Sequence, residues 1–237
     1  MRLAFVGPMG SGKSTASDYM VASKGFVRVS LAKPVKDVAR VLTEQGDTPE
    51  RDEALLRWAT DLLPDPVYRW GLLGEQSLRD RLVYSWKLDA RTASSYRELC
   101  QKVGTDSGRA INDLIWINYM RRFLPDGNVT IDDLRFLNEY AALKDLGFVV
   151  VRLEISEDVR RRRLSERDGS FDPSTQGHAS ETELASIPHD HVISNNEDDV
   201  RALYRQLDQF YAALTGEDAV PEADSPEVPP DAVETVA

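Results

Sequence analysis

A glycine-rich segment near the start of the chain has the residue types and the spacing of a phosphate-binding loop. Residues 7–14 read Gly-Pro-Met-Gly-Ser-Gly-Lys-Ser and match G-x-x-x-x-G-K-[ST] at every fixed position. Glycines let such a loop curl so that successive N–H groups point at phosphate oxygens, and the helix behind it presents its positive end to the same anion. An apolar run precedes the segment and a helical pattern follows it, as the motif requires. We therefore predict a nucleoside triphosphate site here.

The side chains of this loop have distinct predicted roles. Lys13 can reach the β- and γ-phosphates of a triphosphate, and the Ser14 hydroxyl can bind Mg²⁺. Thr15 is predicted to extend the contacts to the α-phosphate. ATP and Mg²⁺ are accordingly the predicted cofactors, and the predicted cofactor-binding residues of this segment are Gly10, Ser11, Gly12, Lys13, Ser14 and Thr15.

Phosphoryl transfer also needs a carboxylate near the metal ion and cationic groups near the moving phosphate. Asp132 and Asp133 follow the apolar residues 129–131, and either could hold a metal-bound water. Arg135 comes two residues later. The alternative is that the two aspartates only cap a helix or a turn.

Arginines are concentrated in one later segment. Residues 160–163 are four consecutive arginines, and Arg167 lies four residues beyond Arg163. Side chains four apart share a helix face, so Arg163 and Arg167 are predicted to act together and Arg160 to extend their row. The loop that follows favours a lid that carries arginines onto ATP and substrate. A solvated basic helix face is the alternative. Arg109 is a further candidate for binding an anion.

The elements that must position these residues follow an alternating order. Short apolar runs at residues 2–6, 26–29, 129–131, 148–155 and 191–194 predict strands, and helical patterns lie between them. This order indicates an α/β fold with a mostly parallel sheet flanked by helices. Ligands bind beyond the carboxyl ends of such strands. Gly7, Asp132, Asp133 and Ser156 all follow strands, so we expect them at one sheet edge.

Two segments differ from this core. Residues 43–95 contain Trp58, Trp70 and Trp86, helical patterns and no persuasive strand, which predicts a helical insertion that serves as the substrate-binding region. Residues 215–237 are rich in proline and acids and predict a disordered tail. The core is then residues 1–42 and 96–214, with the lid at about 157–182. A helix over 95–103 is predicted to end at Gly104.

Composition excludes several classes of protein. The net charge of −11 lies largely in the tail, and without the seven acids of that tail the chain has 29 basic and 33 acidic residues. A nearly neutral body argues against a duplex nucleic-acid binder. No apolar run is long enough to span a membrane, and the first residues do not resemble a signal peptide. Cys100 is the single cysteine, and the three histidines fit no zinc pattern.

Several segments together resemble one family, the bacteriophage deoxynucleoside monophosphate kinases, over roughly residues 1–214. Residues 133–139 are similar to that family's D-x-R-F-x-N-E stretch, and residues 97–109 to its R-x-x-x-Q-x-x-G-T-x-x-x-R stretch. Residues 32–36 resemble an A-x-P-L-K segment with Val35 in place of leucine. Residues 190–195 resemble the D-x-V-I-x-N strand that precedes an adenine-contacting turn.

This resemblance implies a fold, an activity and residue roles. The fold would be that of the P-loop kinases, and the activity would be transfer of the ATP γ-phosphate to a deoxynucleoside monophosphate in the cytoplasm, which is the host's if a phage encodes the chain. Asp133 would be the magnesium carboxylate, and Arg163 and Arg167 the lid pair. The catalytic set is Lys13, Asp133, Arg135, Arg163 and Arg167; Asn195 joins the cofactor site; the substrate set is Lys36, Gln101, Arg109, Arg135 and Glu139.

Two other functions stay open at this stage. One is a kinase for another small phosphorylated acceptor, such as dephospho-CoA or phosphomevalonate. The other is a P-loop ATPase or nucleotide switch without an acceptor. A small-molecule substrate is the expected partner, with neither nucleic acid nor membrane involved, and a homodimer is one oligomeric state that the sequence allows.

Overall fold

The chain alternates short strands with helices from its first residues, as its hydrophobic pattern predicts. The computed structural model describes residues 1–64, 68–71, 74–168 and 179–216. The described elements are, in chain order, β1 (Arg2–Val6), α1 (Lys13–Lys24), β2 (Val27–Arg28), α2 (Lys33–Glu44), α3 (Pro49–Leu62), β3 (Tyr68–Gly71), β4 (Gly74–Ser77), α4 (Leu78–Thr92), α5 (Tyr96–Gln101), a π-helix (Lys102–Arg109), α6 (Ile115–Phe123), β5 (Val129–Ile131), α7 (Leu137–Asp145), β6 (Val149–Glu154), α8 (Glu157–Asp168), α9 (Ala179–Ser186), β7 (His191–Ser194) and α10 (Val200–Thr215).

A five-stranded sheet organises the first of two structural units. This unit, the sheet unit, combines Met1–Ser30 with the described residues from Pro125 onward. Its strands run in the order β2-β5-β1-β6-β7, and every pair is parallel. The predicted α/β fold with a parallel sheet is therefore confirmed.

Apolar residues of β1, α1 and α10 form a core on the sheet. Leu3 and Phe5 of β1 are fully buried and belong to this core. Tyr19 of α1 stacks on Tyr204 of α10 with ring centroids 4.2 Å apart. Burial of these side chains fixes α1 against the sheet, and with it the loop that precedes α1.

The second unit, the helical unit, spans Leu31–Leu124. Helices α2 to α6 and the π-helix bury a separate apolar core that includes Leu55, Leu82, Trp86 and Trp116. Trp86 is fully buried, in line with a packing role, whereas the side chain of Trp70 is outside the described residues. Residues 43–95, predicted as an insertion, lie in this unit together with α2, α5, the π-helix and α6.

Two local predictions for this unit were wrong. Tyr68–Gly71 and Gly74–Ser77 pair as an antiparallel hairpin where no strand was predicted. Tyr68 and Trp70 favour a strand, but neither strand contains a β-branched residue and two glycines lie in them, so intrinsic preference gave only a weak strand signal. Gly104 does not end a helix either, because α5 continues directly into the π-helix that extends to Arg109.

Some predicted segments fall on parts of the chain that are not described. These are residues 169–178 of the predicted lid and residues 217–237 of the predicted tail. Across the described ranges, no helix is both long and apolar enough to cross a lipid bilayer.

Candidate phosphate-binding site

The loop between β1 and α1 has the curled backbone that its glycines predict. Gly10 and Gly12 have φ angles of 87° and 91°. Such values favour glycine because a Cβ would crowd the backbone. At Gly12, a Cβ would also come within 2.4 Å of Nδ2 of Asn195. The loop conformation therefore depends on glycine at this position for two reasons.

The N-terminus of α1 is open toward the loop. Gly12 precedes the helix, and no side chain caps the first turn among the described hydrogen bonds. The N–H groups at a helix start have no partner within the helix and favour anions. The Lys13 ammonium donates to the carbonyl oxygens of Gly7 (2.7 Å) and Pro8 (2.8 Å), which holds it over the loop. Both features suit the binding of phosphate groups.

Asn195 anchors the loop from the neighbouring strand end. It follows β7, and its side chain is buried. Its Nδ2 donates to the Ser11 carbonyl oxygen at 2.9 Å. Because parallel strands end at one sheet edge, this residue lies beside the loop that follows β1. Its predicted role in cofactor binding stays a prediction, and its observed contact is with the loop backbone.

A polar network joins the start of α1 to the end of β5. The Ser14 hydroxyl donates to Oδ2 of Asp132 at 2.7 Å. Arg28 of β2 also contacts this carboxylate: its Nε donates to Oδ1 at 3.2 Å, and its Nη2 donates to Oδ2. The remaining Nη1 of Arg28 donates to Oδ1 of Asp18 at 2.7 Å. Burial raises the pKa of Asp18, with Arg28 opposing that shift.

The two aspartates after β5 have different neighbours. Asp132 is buried and contacts Ser14, whereas Asp133 is half-buried and accepts a hydrogen bond from Ser30 at 2.6 Å. The family resemblance favoured Asp133 as the magnesium carboxylate. The geometry favours Asp132 for this role, because its Oδ2 accepts a hydrogen bond from the Ser14 hydroxyl.

The next predicted residues form the start of α7. Glu139 is buried, and its Oε2 accepts from the backbone N–H groups of Arg135 (2.9 Å) and Phe136 (3.2 Å). A glutamate three residues into a helix often binds back to the first N–H groups in this way. The Arg135 side chain is exposed. Glu139 thus shapes the turn that presents Arg135, and substrate roles for both residues stay predictions.

The clustered arginines of α8 differ in how deeply they are buried and in what they contact. Arg160 is buried beside the loop, and its guanidinium binds Glu157, whose pKa it lowers to about 2 together with Arg161. Leu164 and the Arg160 stem lie within about 3.5 Å of where a Cβ on Gly10 would sit. The predicted lid pair, Arg163 and Arg167, does not take part in this contact with the loop. Nη2 of Arg163 donates to the Glu197 carbonyl oxygen, and the Arg167 side chain is exposed.

The remaining predicted substrate residues lie in the helical unit. Lys36 is exposed on α2, Gln101 is half-buried at the end of α5, and Arg109 is half-buried at the end of the π-helix. The Tyr96 hydroxyl donates to the Lys36 carbonyl at 3.1 Å, which joins α2 to α5. A π-helix is rare and occurs often at functional sites.

Packing explains the glycines of the π-helix. The indole Nε1 of Trp116 donates to the Gly104 carbonyl at 2.9 Å. A Cβ on Gly108 would lie 2.6 Å from Cζ2 of the same indole. Opposite, the buried Ser107 hydroxyl donates to Asp89 of α4, and burial raises the pKa of Asp89. The G-T-x-x-x-R segment thus holds its shape through contacts on two sides.

Sequence reasoning missed Arg28 and Asp18. Nothing in their local sequence marks them, because Arg28 reads as an ordinary strand residue and Asp18 as an ordinary helix residue. The signal is in the strand pairing. Arg28 is in register with Thr130 of β5, which places it next to the chain that leads to Asp132.

The donor set at the end of β5 fits Mg²⁺. Ser14 and Asp132 offer a hydroxyl and a carboxylate oxygen 2.7 Å apart, and hard oxygen ligands are those that Mg²⁺ prefers. Within the described residues, no cluster of three or more His, Cys, Asp or Glu side chains could hold a metal ion alone. A magnesium ion bound here would therefore take further ligands from phosphate groups and water, as is usual for this metal.

Comparisons with known proteins point to kinases. No family model matches the chain. A protein of Acanthamoeba polyphaga mimivirus named "Putative deoxynucleotide monophosphate kinase" is 25% identical over 228 residues, covering 90% of this chain and 93% of that protein. The similarity supports a kinase and leaves its acceptor open. Since this relative comes from mimivirus, the predicted bacteriophage origin stays a prediction.

Several solved kinase structures show only a weak similarity to the chain. Shikimate kinase from Bacteroides thetaiotaomicron is 16% identical with a TM-score of 0.43, covering 92% of this chain and 99% of that one. Dephospho-CoA kinase from Campylobacter jejuni is 15% identical with a TM-score of 0.39, covering 91% and 99%. Similarities of this size do not discriminate among substrates.

Proposed function

We propose that this chain transfers the γ-phosphate of ATP to the phosphate of a deoxynucleoside monophosphate. The observation that carries the proposal is the arrangement of Lys13, Ser14 and Asp132 around an open helix start at the carboxyl edge of the parallel sheet. The similarity to the mimivirus protein and the motif resemblance support a nucleotide acceptor.

The loop would bind the triphosphate through its backbone and through Lys13. Without nucleotide, the Lys13 ammonium donates to two carbonyl oxygens of the loop, each within 2.8 Å. When ATP binds, it would exchange these partners for the more negative β- and γ-phosphate oxygens. Ser14 and Asp132 would hold Mg²⁺. That ion, when bound, neutralises charge on the β- and γ-phosphates. Because Asn195 and the α8 side chains brace the loop, its N–H groups are oriented before ATP arrives.

The acceptor phosphate needs cationic groups and no strong base. A phosphate monoester is largely dianionic near neutral pH, so its oxygen can attack the γ-phosphorus in line without prior loss of a proton. Exposed Arg135 at the sheet edge is proposed to bind this phosphate. Lys36, Gln101 and Arg109 of the helical unit are proposed as further acceptor contacts, and Arg163 and Arg167 as groups that stabilise the transferred phosphoryl.

An acceptor panel tests the proposal directly. Deoxy- and ribonucleoside monophosphates, dephospho-CoA and phosphomevalonate would each be supplied with ATP·Mg²⁺, and ADP release would be measured. We expect release that depends on at least one deoxynucleoside monophosphate. Turnover only with dephospho-CoA or phosphomevalonate would replace the proposed acceptor. Slow ADP release that no acceptor stimulates would indicate an ATPase instead.

A matched pair of lysine variants assigns the activity to the loop. Lys13→Ala is expected to lower kcat/KM by about 100-fold or more, because it removes a cation aimed at developing charge. Lys144→Ala removes a lysine that pairs with Asp190 before the amino end of β7, at the other edge of the sheet, and should change kcat/KM little. Equal activity of Lys13→Ala and wild type would contradict the proposal.

A further inference from the structure

Arg28 forms an ion pair with Asp132, the carboxylate that is proposed to hold the metal ion. It contacts both oxygens of Asp132, and one of those oxygens also accepts from Ser14. The Asp132 side chain is 5% exposed, so water cannot stabilise its charge. Burying a carboxylate costs free energy unless a positive partner or hydrogen bonds replace its lost hydration. Among the described contacts, Arg28 is the cation that meets this need.

Asp18 gives Arg28 a second carboxylate. The guanidinium donates to Asp18 through Nη1 at 2.7 Å while its other two nitrogens contact Asp132. Two carboxylates and one guanidinium give this trio a net charge of −1. Arg28 is therefore held from both sides and does not need Asp132 as its only partner.

A divalent ion at Ser14 and Asp132 would have to share a carboxylate with Arg28. Two cations a few ångströms apart repel each other strongly in a partly buried site. Phosphate oxygens of a bound nucleotide would offset this repulsion with several negative charges. Without a nucleotide only the carboxylates of Asp132 and Asp18 offset it, so the charge of Arg28 should weaken the binding of a metal ion that arrives alone.

We propose that Arg28 is a positioning residue that makes metal binding at Asp132 dependent on nucleotide. It holds the Asp132 carboxylate in the orientation that contacts Ser14 in the nucleotide-free state, and it opposes a divalent ion that is not accompanied by phosphates. The proposal rests on the proposed nucleotide site. The substitutions that change the charge of the trio should then shift nucleotide-free metal affinity in opposite directions.

Titration with Mn²⁺ in the absence of nucleotide tests this dependence. The full chain would be titrated at pH 8, and free Mn²⁺ would be followed by electron paramagnetic resonance. Arg28→Gln leaves a net charge of −2 on the trio and should bind Mn²⁺ at least about tenfold more tightly than wild type. Asp18→Asn leaves a net charge of 0 and should bind it more weakly. Arg28→Lys keeps the cation and should stay near wild type.

A control and a second criterion keep the test decisive. Arg57→Gln makes the same charge change at an exposed pair with Glu53 on α3 and should leave Mn²⁺ affinity unchanged. The inference is wrong if Arg28→Gln binds Mn²⁺ no more tightly than wild type, or if Arg57→Gln tightens it equally. Should circular dichroism show that Arg28→Gln is unfolded, Asp18→Asn decides: unchanged or tighter binding overturns the inference.

Nucleotide binding by wild type separates this inference from the proposed function. Calorimetry with ATP·Mg²⁺ and the acceptor panel report on the nucleotide site itself. If wild type binds ATP and transfers phosphate but Arg28→Gln fails to tighten Mn²⁺, only the role of Arg28 is wrong. If wild type binds no ATP, the proposed function fails, whatever the variants show.

Discussion

The loop of residues 7–14 and the π-helix Lys102–Arg109 both place glycines close together in sequence, yet the two segments use them differently. In the loop, Gly12 has a φ of 91°, a conformation that other residues adopt only at a cost. In the π-helix, neither Gly104 nor Gly108 has a positive φ. There the absent Cβ provides space for Val35 and for the Trp116 indole. Glycine thus serves both backbone conformation and space in the loop, and space alone in the π-helix.

The loop and the π-helix also differ in the residues that surround them. The loop is held by hydrogen bonds and charges, from Asn195 and from the network around Asp132. The π-helix lies against an apolar core and has one buried acid, Asp89, on its side. This difference indicates that substitutions in the loop should impair ligand binding as well as folding, whereas those in the π-helix should act first on stability.

Gly12→Ala should have the largest effect. The φ of Gly12 costs a residue with a Cβ about 1–2 kcal/mol, and the overlap with Asn195 adds about 1–3 kcal/mol. Denaturant unfolding would measure the loss, and calorimetry the weakened binding of ATP. In an Asn195→Ala background the overlap disappears but the φ cost remains. Full recovery of stability in that background would show that space, and not conformation, requires glycine here.

Gly108→Ala should cost about 1–3 kcal/mol through overlap with Trp116. Because Gly108 has no positive φ, part of this loss should be recovered when Trp116 is also replaced by Phe, which removes the crowded indole atoms but leaves the Val103 carbonyl oxygen 3.0 Å from the new Cβ. A double-mutant cycle in denaturant measures the coupling. Strictly additive losses in that cycle would contradict a packing role for this glycine.

Asn195→Ala should cost about 1–2 kcal/mol of stability, because the Ser11 carbonyl loses a buried donor. We also expect ATP binding to weaken, by about tenfold if the whole loss falls on the loop. Asn196→Ala, which alters an exposed neighbour, is the matched control. If both variants bind ATP like wild type, the loop keeps its shape without Asn195.

Asp89→Asn should have the smallest effect, and its sign depends on pH. Burial raises the pKa of Asp89 above 3.8, so the folded state keeps the proton after the unfolded state has lost it. This stabilisation is complete below pH 3.8 and is lost as pH rises through the raised pKa. The variant should therefore gain stability relative to wild type with rising pH, by about 1–3 °C in Tm at neutral pH.

Melting curves between pH 3 and pH 7 would follow this change. Asp80→Asn, at an exposed acid in the first turn of the same helix, should show no such gain. A constant difference between Asp89→Asn and wild type across this range would mean that burial of Asp89 does not penalise its charge.

Much of the sheet unit could be predicted because local patterns fix its strands and helices. The five strands were expected within one to two residues, since each is a short apolar run bounded by turns or helices. The order of strands in the sheet was not predicted, because pairing joins residues far apart, such as Arg2 with Val129. The hairpin β3–β4 was missed for a related reason. Its two strands are defined by their pairing with each other more than by their composition.

The sequence by itself determined the curled glycine loop between β1 and α1, the parallel α/β class and the near-neutral charge of the body. Each depends on neighbouring residues or on composition, which local chemistry governs. Only the tertiary structure decided that Asp132 contacts Ser14, and that Arg28 and Asp18 belong to the same network. The Ser14–Asp132 and Arg28–Asp132 contacts join residues 118 and 104 positions apart, so the pairing of β1 and β2 with β5 had to bring them together.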